Sequence, residues 1–154
     1  PRAAAPHRRI ETMRALTRAG VPVMVMTAPL IPALNDHELE DLLAAAAAAG
    51  ARDAGYVALR LPLEISELFQ QWLAAHYPDR AARVMSLVRQ MRGGKDYDSR
   101  WKIRQKGEGP YAAMLAARFR KACARLGLNT GPRMAQDASQ FRRPTRPGEQ
   151  LELL

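Results

Sequence analysis

VPVMVMTAPLIPALNDHELE, residues 21–40, is the stretch whose reading decides the fold. Val23 to Met26 is a continuous apolar run rather than an alternating one, the pattern of a strand buried on both faces in a parallel sheet. Thr27-Ala28-Pro29 closes that strand, which is predicted to span Val21–Ala28. A turn-rich link with Pro32 follows, and Asn35 is placed to cap a helix, with Glu38 three residues on as in a capping box. Strand, loop and helix N-terminus meet at the carboxyl edge of a sheet, where α/β proteins bind ligands. The spacing does not say which ligand.

Outward from this junction the chain alternates. Pro6 to Ala19 reads as a helix, with Ile10, Met13 and Leu16 on one face. The second helix is predicted from Asp36 to Ala49, with Leu39, Leu42, Leu43 and Ala46 turned inward. Ala54 to Leu61 is the second strand, and the crossover length suits a right-handed βαβ unit. Glu64 to His76 carries an apolar stripe of Ile65, Leu68, Phe69 and Trp72, and Arg80 to Met91 carries Val84, Leu87, Val88 and Met91. Arg92 to Pro110 is a basic loop with four glycines. A last helix is predicted over Tyr111–Leu126, ended by Gly127. Asn129 to Leu154, rich in Pro, Gly and Arg, reads as extended or partly ordered. The expected organisation is 1–76 as an α/β unit, 77–128 as a helical extension with the basic loop at 92–110, and 129–154 as a tail. Two parallel strands do not make a stable sheet alone. The chain is therefore expected to be the C-terminal part of a (β/α) barrel, whose remaining half would be its first partner.

Charge divides the chain. Residues 1–76 hold 7 basic and 8 acidic side chains, whereas residues 77–154 hold 17 and 7. The second half is suited to an anionic partner, or is a solvated basic surface. Cys123 is the single cysteine, which excludes an intramolecular disulfide and a cysteine-rich metal site and fits a reducing cytoplasm. No continuous apolar run is long enough to span a membrane. His7, His37 and His76 are dispersed and do not form a zinc set.

Four segments in order, PHRRIETMRAL (6–16), APLIPALND (28–36), YVALRLPLE (56–64) and MRGGKDYDSRW (91–101) with GEGPY (107–111), together resemble the C-terminal half of radical SAM proteins of the spore-photoproduct-lyase-like, or DNA repair photolyase, type. The resemblance implies a partial (β/α)6 barrel in which the two strands are the fifth and sixth. It implies an enzyme with a [4Fe–4S] cluster and S-adenosylmethionine, whose reductive cleavage yields a 5′-deoxyadenosyl radical for hydrogen abstraction, and DNA as a partner. The family's C-x-x-x-C-x-x-C loop is not in this sequence, so the cluster ligands are not here and the fragment alone is expected to be inactive. Ala28, Pro29 and Ile31 would pass the adenosyl part of the cofactor, and Leu59 and Leu61 could line the same site.

Arg60 at the end of the second strand is a candidate partner for an anionic substrate or cofactor group, or for a structural carboxylate. In the basic loop, Arg92, Lys95, Arg100, Lys102, Arg104 and Lys106 around Tyr97 and Trp101 suit phosphate contact with base stacking; the same aromatics could instead dock the loop on the barrel mouth. Arg142, Arg143 and Arg146 would add to the basic surface. The competing functional readings are a non-catalytic nucleic-acid-binding module and a piece of an unrelated (β/α) barrel enzyme. Cys123 reads as a small buried hydrophobe, and Asp36 as a capping residue.

Overall fold

Two apolar runs pair side by side and the helices gather behind them. In the computed structural model, residues 3–132, 139 and 141–144 are described. The order is α1 (Pro6–Arg18), β1 (Met24–Leu30), a 3₁₀ turn (Asp36–Glu38) running into α2 (Leu39–Ala48), β2 (Asp53–Ala58), α3 (Ile65–His76), α4 (Pro78–Gln90), the short α5 (Ile103–Lys106) and α6 (Gly109–Leu126). Pro6 and Pro78 open α1 and α4, where the missing N–H costs nothing. Gly127 ends α6 in the left-handed conformation, at φ 68°.

The strands are parallel, as expected, with Met24 opposite Asp53 and Thr27 opposite Tyr56. Their limits differ from the sequence reading. Pairing continues past Pro29 because the register shifts between Thr27 and Leu30, which sets Leu30 opposite Ala58. β2 ends at Ala58, short of the expected Leu61, with a last bond from the Leu59 N–H to the Leu30 carbonyl at 2.9 Å. Predicting α5 would have required periodicity that four residues do not show.

Alternation along the strands sorts the two faces. Thr27, Ala54, Tyr56 and Ala58 are buried on the helix side. There Leu39, Leu43 and Ala46 of α2 and Phe119, Ala122 and Cys123 of α6 complete the main core. The Tyr56 and Phe119 rings lie 4.9 Å apart. Each leucine buried here contributes on the order of 1.5–3 kcal/mol. Met24 and Met26 stand on the opposite face, 48% and 53% exposed. Their methyl groups lie over Gly55, where an added Cβ would come within 2.8 Å of the Met26 Cε. Neither methionine joins a core cluster.

A second core, with Leu61, Leu73, Val84, Met85 and Val88, joins α3 to α4. Two predicted apolar faces are rotated from expectation. Leu42 is exposed, because the buried positions of α2 are 39, 43 and 46. On α3 only Leu73 is fully buried, while Ile65, Leu68 and Trp72 face solvent, since α4 covers just one side of the stripe. Among the described residues no helix is long and apolar enough to cross a membrane. Most of the predicted tail, including Arg146, lies outside the described residues.

Candidate functional site at the carboxyl edge of the sheet

Ala28 and Pro29 sit exposed at the carboxyl end of β1, followed by buried Leu30 and half-buried Ile31. Asn35 shapes this loop. Its Oδ1 accepts the Ile31 N–H at 2.7 Å and its Nδ2 donates to the Pro29 carbonyl at 3.1 Å. The expected cap is therefore corrected: Asn35 makes no side-chain bond to the helix, because its amide is spent on the preceding loop. Asp36 is likewise no free acid. It is 5% exposed, accepts the Tyr111 hydroxyl at 2.6 Å and lies 3.8 Å from Arg118. Arg118 also bonds the Asp36 carbonyl and grips Glu40 through two nitrogens. That grip holds the Glu40 carboxyl below its usual range. Burial, then the bond to Asp36, pushes the Tyr111 phenol up.

At the end of β2, Arg60 donates from Nη2 to the Tyr97 hydroxyl at 3.2 Å, with its guanidinium 5.9 Å from the centre of that ring. Tyr97 thus docks the basic loop at the sheet mouth. Arg92 fastens the same loop from within: it is 1% exposed, and its guanidinium donates to the carbonyls of Leu59 (2.9 Å) and Ile103. Desolvation lowers its pKa. Asp96 ties the loop to α3 and α4 through Ser66 (2.7 Å), Gln70 and Arg89 (2.6 Å), and those bonds, led by Ser66, hold its carboxyl low. The loop returns at Gly107, at φ 78°, where a Cβ would stand 3.1 Å from the Met91 carbonyl; a side chain there would be both strained and crowded.

The proposed nucleic-acid contacts therefore separate. Arg92 faces inward. Arg100 is clamped to Asp98 through Nε and Nη2 and to Glu108 at 2.8 Å. Trp101 is 72% exposed, and Arg104 lies over one face of its ring at 4.3 Å. Lys106 lies 5.0 Å from the Tyr56 ring centre. Lys95 and Lys102 are exposed. Arg142 donates to the Ser139 and Phe141 carbonyls. A cavity of about 320 Å³ opens inside the loop, bounded by Arg92, Gly93, Lys95, Tyr97, Asp98, Ser99 and Arg100.

Cys123 is buried in the helix core, as expected, and burial pushes its thiol up. Among the described residues no three His, Cys, Asp or Glu side chains gather as a metal site. Sequence reasoning missed Asn129, Arg118 and Asp96. Asn129 and Arg118 reach partners 75 and 78 residues away, and Asp96 reaches Ser66 and Gln70 across 30 and 26, and no local pattern marks such contacts.

No protein-family model matches the chain, and no solved structure does. Similar proteins exist in mycobacteria. The uncharacterized protein Rv2578c of Mycobacterium tuberculosis (strain H37Rv) and the uncharacterized protein Mb2609c of Mycobacterium bovis are each 35% identical to it over 86 residues. That match takes in 54% of this chain and 25% of each relative. The chain thus aligns with only about a quarter of the length of these relatives.

Proposed function

We propose that this chain is the C-terminal part of a partial (β/α)6 barrel of the radical SAM, spore-photoproduct-lyase-like type. The observation that carries the reading is the one-sided sheet. Helices back one face, Met24 and Met26 lie open on the other, and among the described residues β1 pairs with β2 alone. The last two strands of a barrel have this arrangement: helices outside, lumen inside, and an edge that awaits the preceding strand. Ala28, Pro29 and Ile31 then lie at the barrel mouth, where backbone groups and small apolar surfaces can flank an adenosyl group without any titratable side chain.

The described residues do not fit the cluster itself. Three thiolates are required, and Cys123 is single and buried, with burial pushing its thiol pKa up. The thiolates would come from strands that close on β1. In such enzymes the cluster and S-adenosylmethionine together supply hydrogen-atom abstraction. This chain's own part is to floor the cofactor site and exclude water from it.

The test is anaerobic reconstitution of the longer protein with iron and sulfide, then assay for 5′-deoxyadenosine after reduction in the presence of S-adenosylmethionine. Production of 5′-deoxyadenosine, with no cluster formed on residues 1–154 alone, is expected. A reduced longer protein that makes none overturns the reading, as does a gene with no C-x-x-x-C-x-x-C upstream of this region.

A further inference from the structure

The loop that leaves β1 is held from two sides. From within, Asn35 accepts the Ile31 N–H at 2.7 Å and donates to the Pro29 carbonyl at 3.1 Å, and the Leu34 and Asn35 N–H groups both turn to the Ile31 carbonyl. These bonds enclose Ala33, which stands at φ 56°. A residue with a Cβ adopts that left-handed conformation at a cost, and keeps it only where its surroundings over-determine it.

The other side of the hold comes from α6, the last helix of the described chain. Tyr111 and Arg118 are two turns apart on α6 and so share a face. The Tyr111 hydroxyl donates to the Asp36 carboxylate at 2.6 Å. Arg118 donates to the Asp36 carbonyl at 2.8 Å and to the two Glu40 oxygens at 2.8 and 2.6 Å. α6 is a fixed frame for these bonds. Ala112 and Leu115 pack with Ala58 of β2 and with Met91, and Phe119, Ala122 and Cys123 belong to the main core. Asp36 is 5% exposed. Desolvation offsets much of the attraction between a buried carboxylate and a guanidinium, so such a cluster adds little stability; fully bonded, it defines a geometry. The geometry it defines is that of the loop from Pro29 to Asp36, which begins exposed at the carboxyl edge of the sheet.

We propose that Tyr111 and Arg118 are positioning residues: through Asp36 they hold the loop after β1 in the conformation that receives a ligand at the carboxyl edge of the sheet. Neither side chain touches the ligand. The helix that follows the basic loop is then part of the mouth rather than an appendage to it. That the ligand is S-adenosylmethionine rests on the barrel reading above; the hold itself belongs to residues 1–154 and is measured there.

Tyr111→Phe removes one oxygen and keeps the ring. Phe119→Leu is the comparison: it loosens the same helix against Tyr56 and leaves every loop bond in place. Hydrogen exchange on residues 1–154 reads the hold. Exchange at the Ile31 and Asn35 amides should quicken roughly tenfold in Tyr111→Phe, confined to the loop, and should not be so confined in Phe119→Leu. Equilibrium dialysis of S-adenosylmethionine against the reconstituted longer protein reads the consequence, with the melting temperature taken on each sample. Affinity weakened roughly tenfold in Tyr111→Phe and less than about twofold in Phe119→Leu is expected, although Phe119→Leu melts at the lower temperature. Affinity that follows melting temperature across both variants overturns the positioning role in favour of plain packing. Unchanged exchange at Ile31 and Asn35 in Tyr111→Phe overturns the hold. A wild-type longer protein that takes up no S-adenosylmethionine overturns the barrel reading and its ligand instead, and the exchange result then decides the hold.

Discussion

The two edges of the sheet are finished in opposite ways. Outside β2, Asn129 behaves as one residue of a missing neighbour: its Oδ1 accepts the Ala54 N–H at 2.9 Å and its Nδ2 donates to the Ala54 carbonyl at 3.2 Å. The Asn129 N–H adds a bond to the Arg52 carbonyl, and just past the end of the strand Arg92 takes the Leu59 carbonyl. Outside β1, no described residue bonds the backbone of Met24 to Ala28. A protein protects an edge that stays an edge, because open strand groups invite pairing with other chains. The contrast leaves β2 with a satisfied border and β1 with an open edge, which is what the proposed barrel reading expects.

The sharpest way to break this comparison is to remove Arg92. Arg92→Met keeps much of the volume but leaves the carbonyls of Leu59 and Ile103 without their donor. A loss of about 3 kcal/mol in urea unfolding is expected, from unmet buried acceptors plus release of the loop. A loss below about 1 kcal/mol would mean that Arg92 is not a fastener of this border.

Asn129 comes next. Asn129→Gly tolerates the local φ of 61° without strain, so its effect reports the side chain alone. About 2 kcal/mol of destabilisation is expected, with faster hydrogen exchange at Ala54. Unchanged exchange at Ala54 would show that solvent serves that edge equally well.

Little of this border was legible in the sequence. The strand–helix–strand order was, because a continuous apolar run and a crossover of suitable length leave few alternatives, and both strands lie where those runs fall. Asn35 was misread because its amide could serve either a helix end or the loop before it, and local spacing does not choose. Arg92 resembled any solvated arginine in a glycine-rich loop, since charged side chains are seldom fully buried. Asn129 follows a helix-ending glycine and looks like punctuation, yet its partner Ala54 is 75 residues away. The open β1 edge had a sequence signal of a kind: too few strands for a stable parallel sheet.

Acid should act on the border side through the loop clamp. Arg100 holds the Asp98 carboxyl at about 2, below its ordinary 3.8, chiefly by their side-chain bonds. A depressed carboxylate contributes above the unfolded value and loses that contribution as pH falls through the folded one. The clamp should therefore be intact above about pH 4 and released between about pH 4 and pH 2, read as a change in Trp101 emission with Trp72→Phe as background. Asp98→Asn should remove that transition. A transition that survives Asp98→Asn would assign it to another carboxylate, with Glu108 the next to test.

The smallest effect belongs to the open side. Met24 and Met26 are each about half exposed and contribute to no core cluster, so Met24→Gln with Met26→Gln should change the stability of residues 1–154 by less than about 0.5 kcal/mol. The same pair in a longer protein should behave differently. If preceding strands close on β1, this face becomes the packed lumen of a barrel, and each buried amide without a partner costs on the order of 1–3 kcal/mol. Unfolding of the double variant in both contexts therefore reads the face directly. A small loss in the short chain with a large loss in the longer one is expected. Equal small losses would leave the methionine face in solvent in both and would remove the barrel from consideration; a large loss in the short chain would mean that the sheet is already two-sided without help from any further strand.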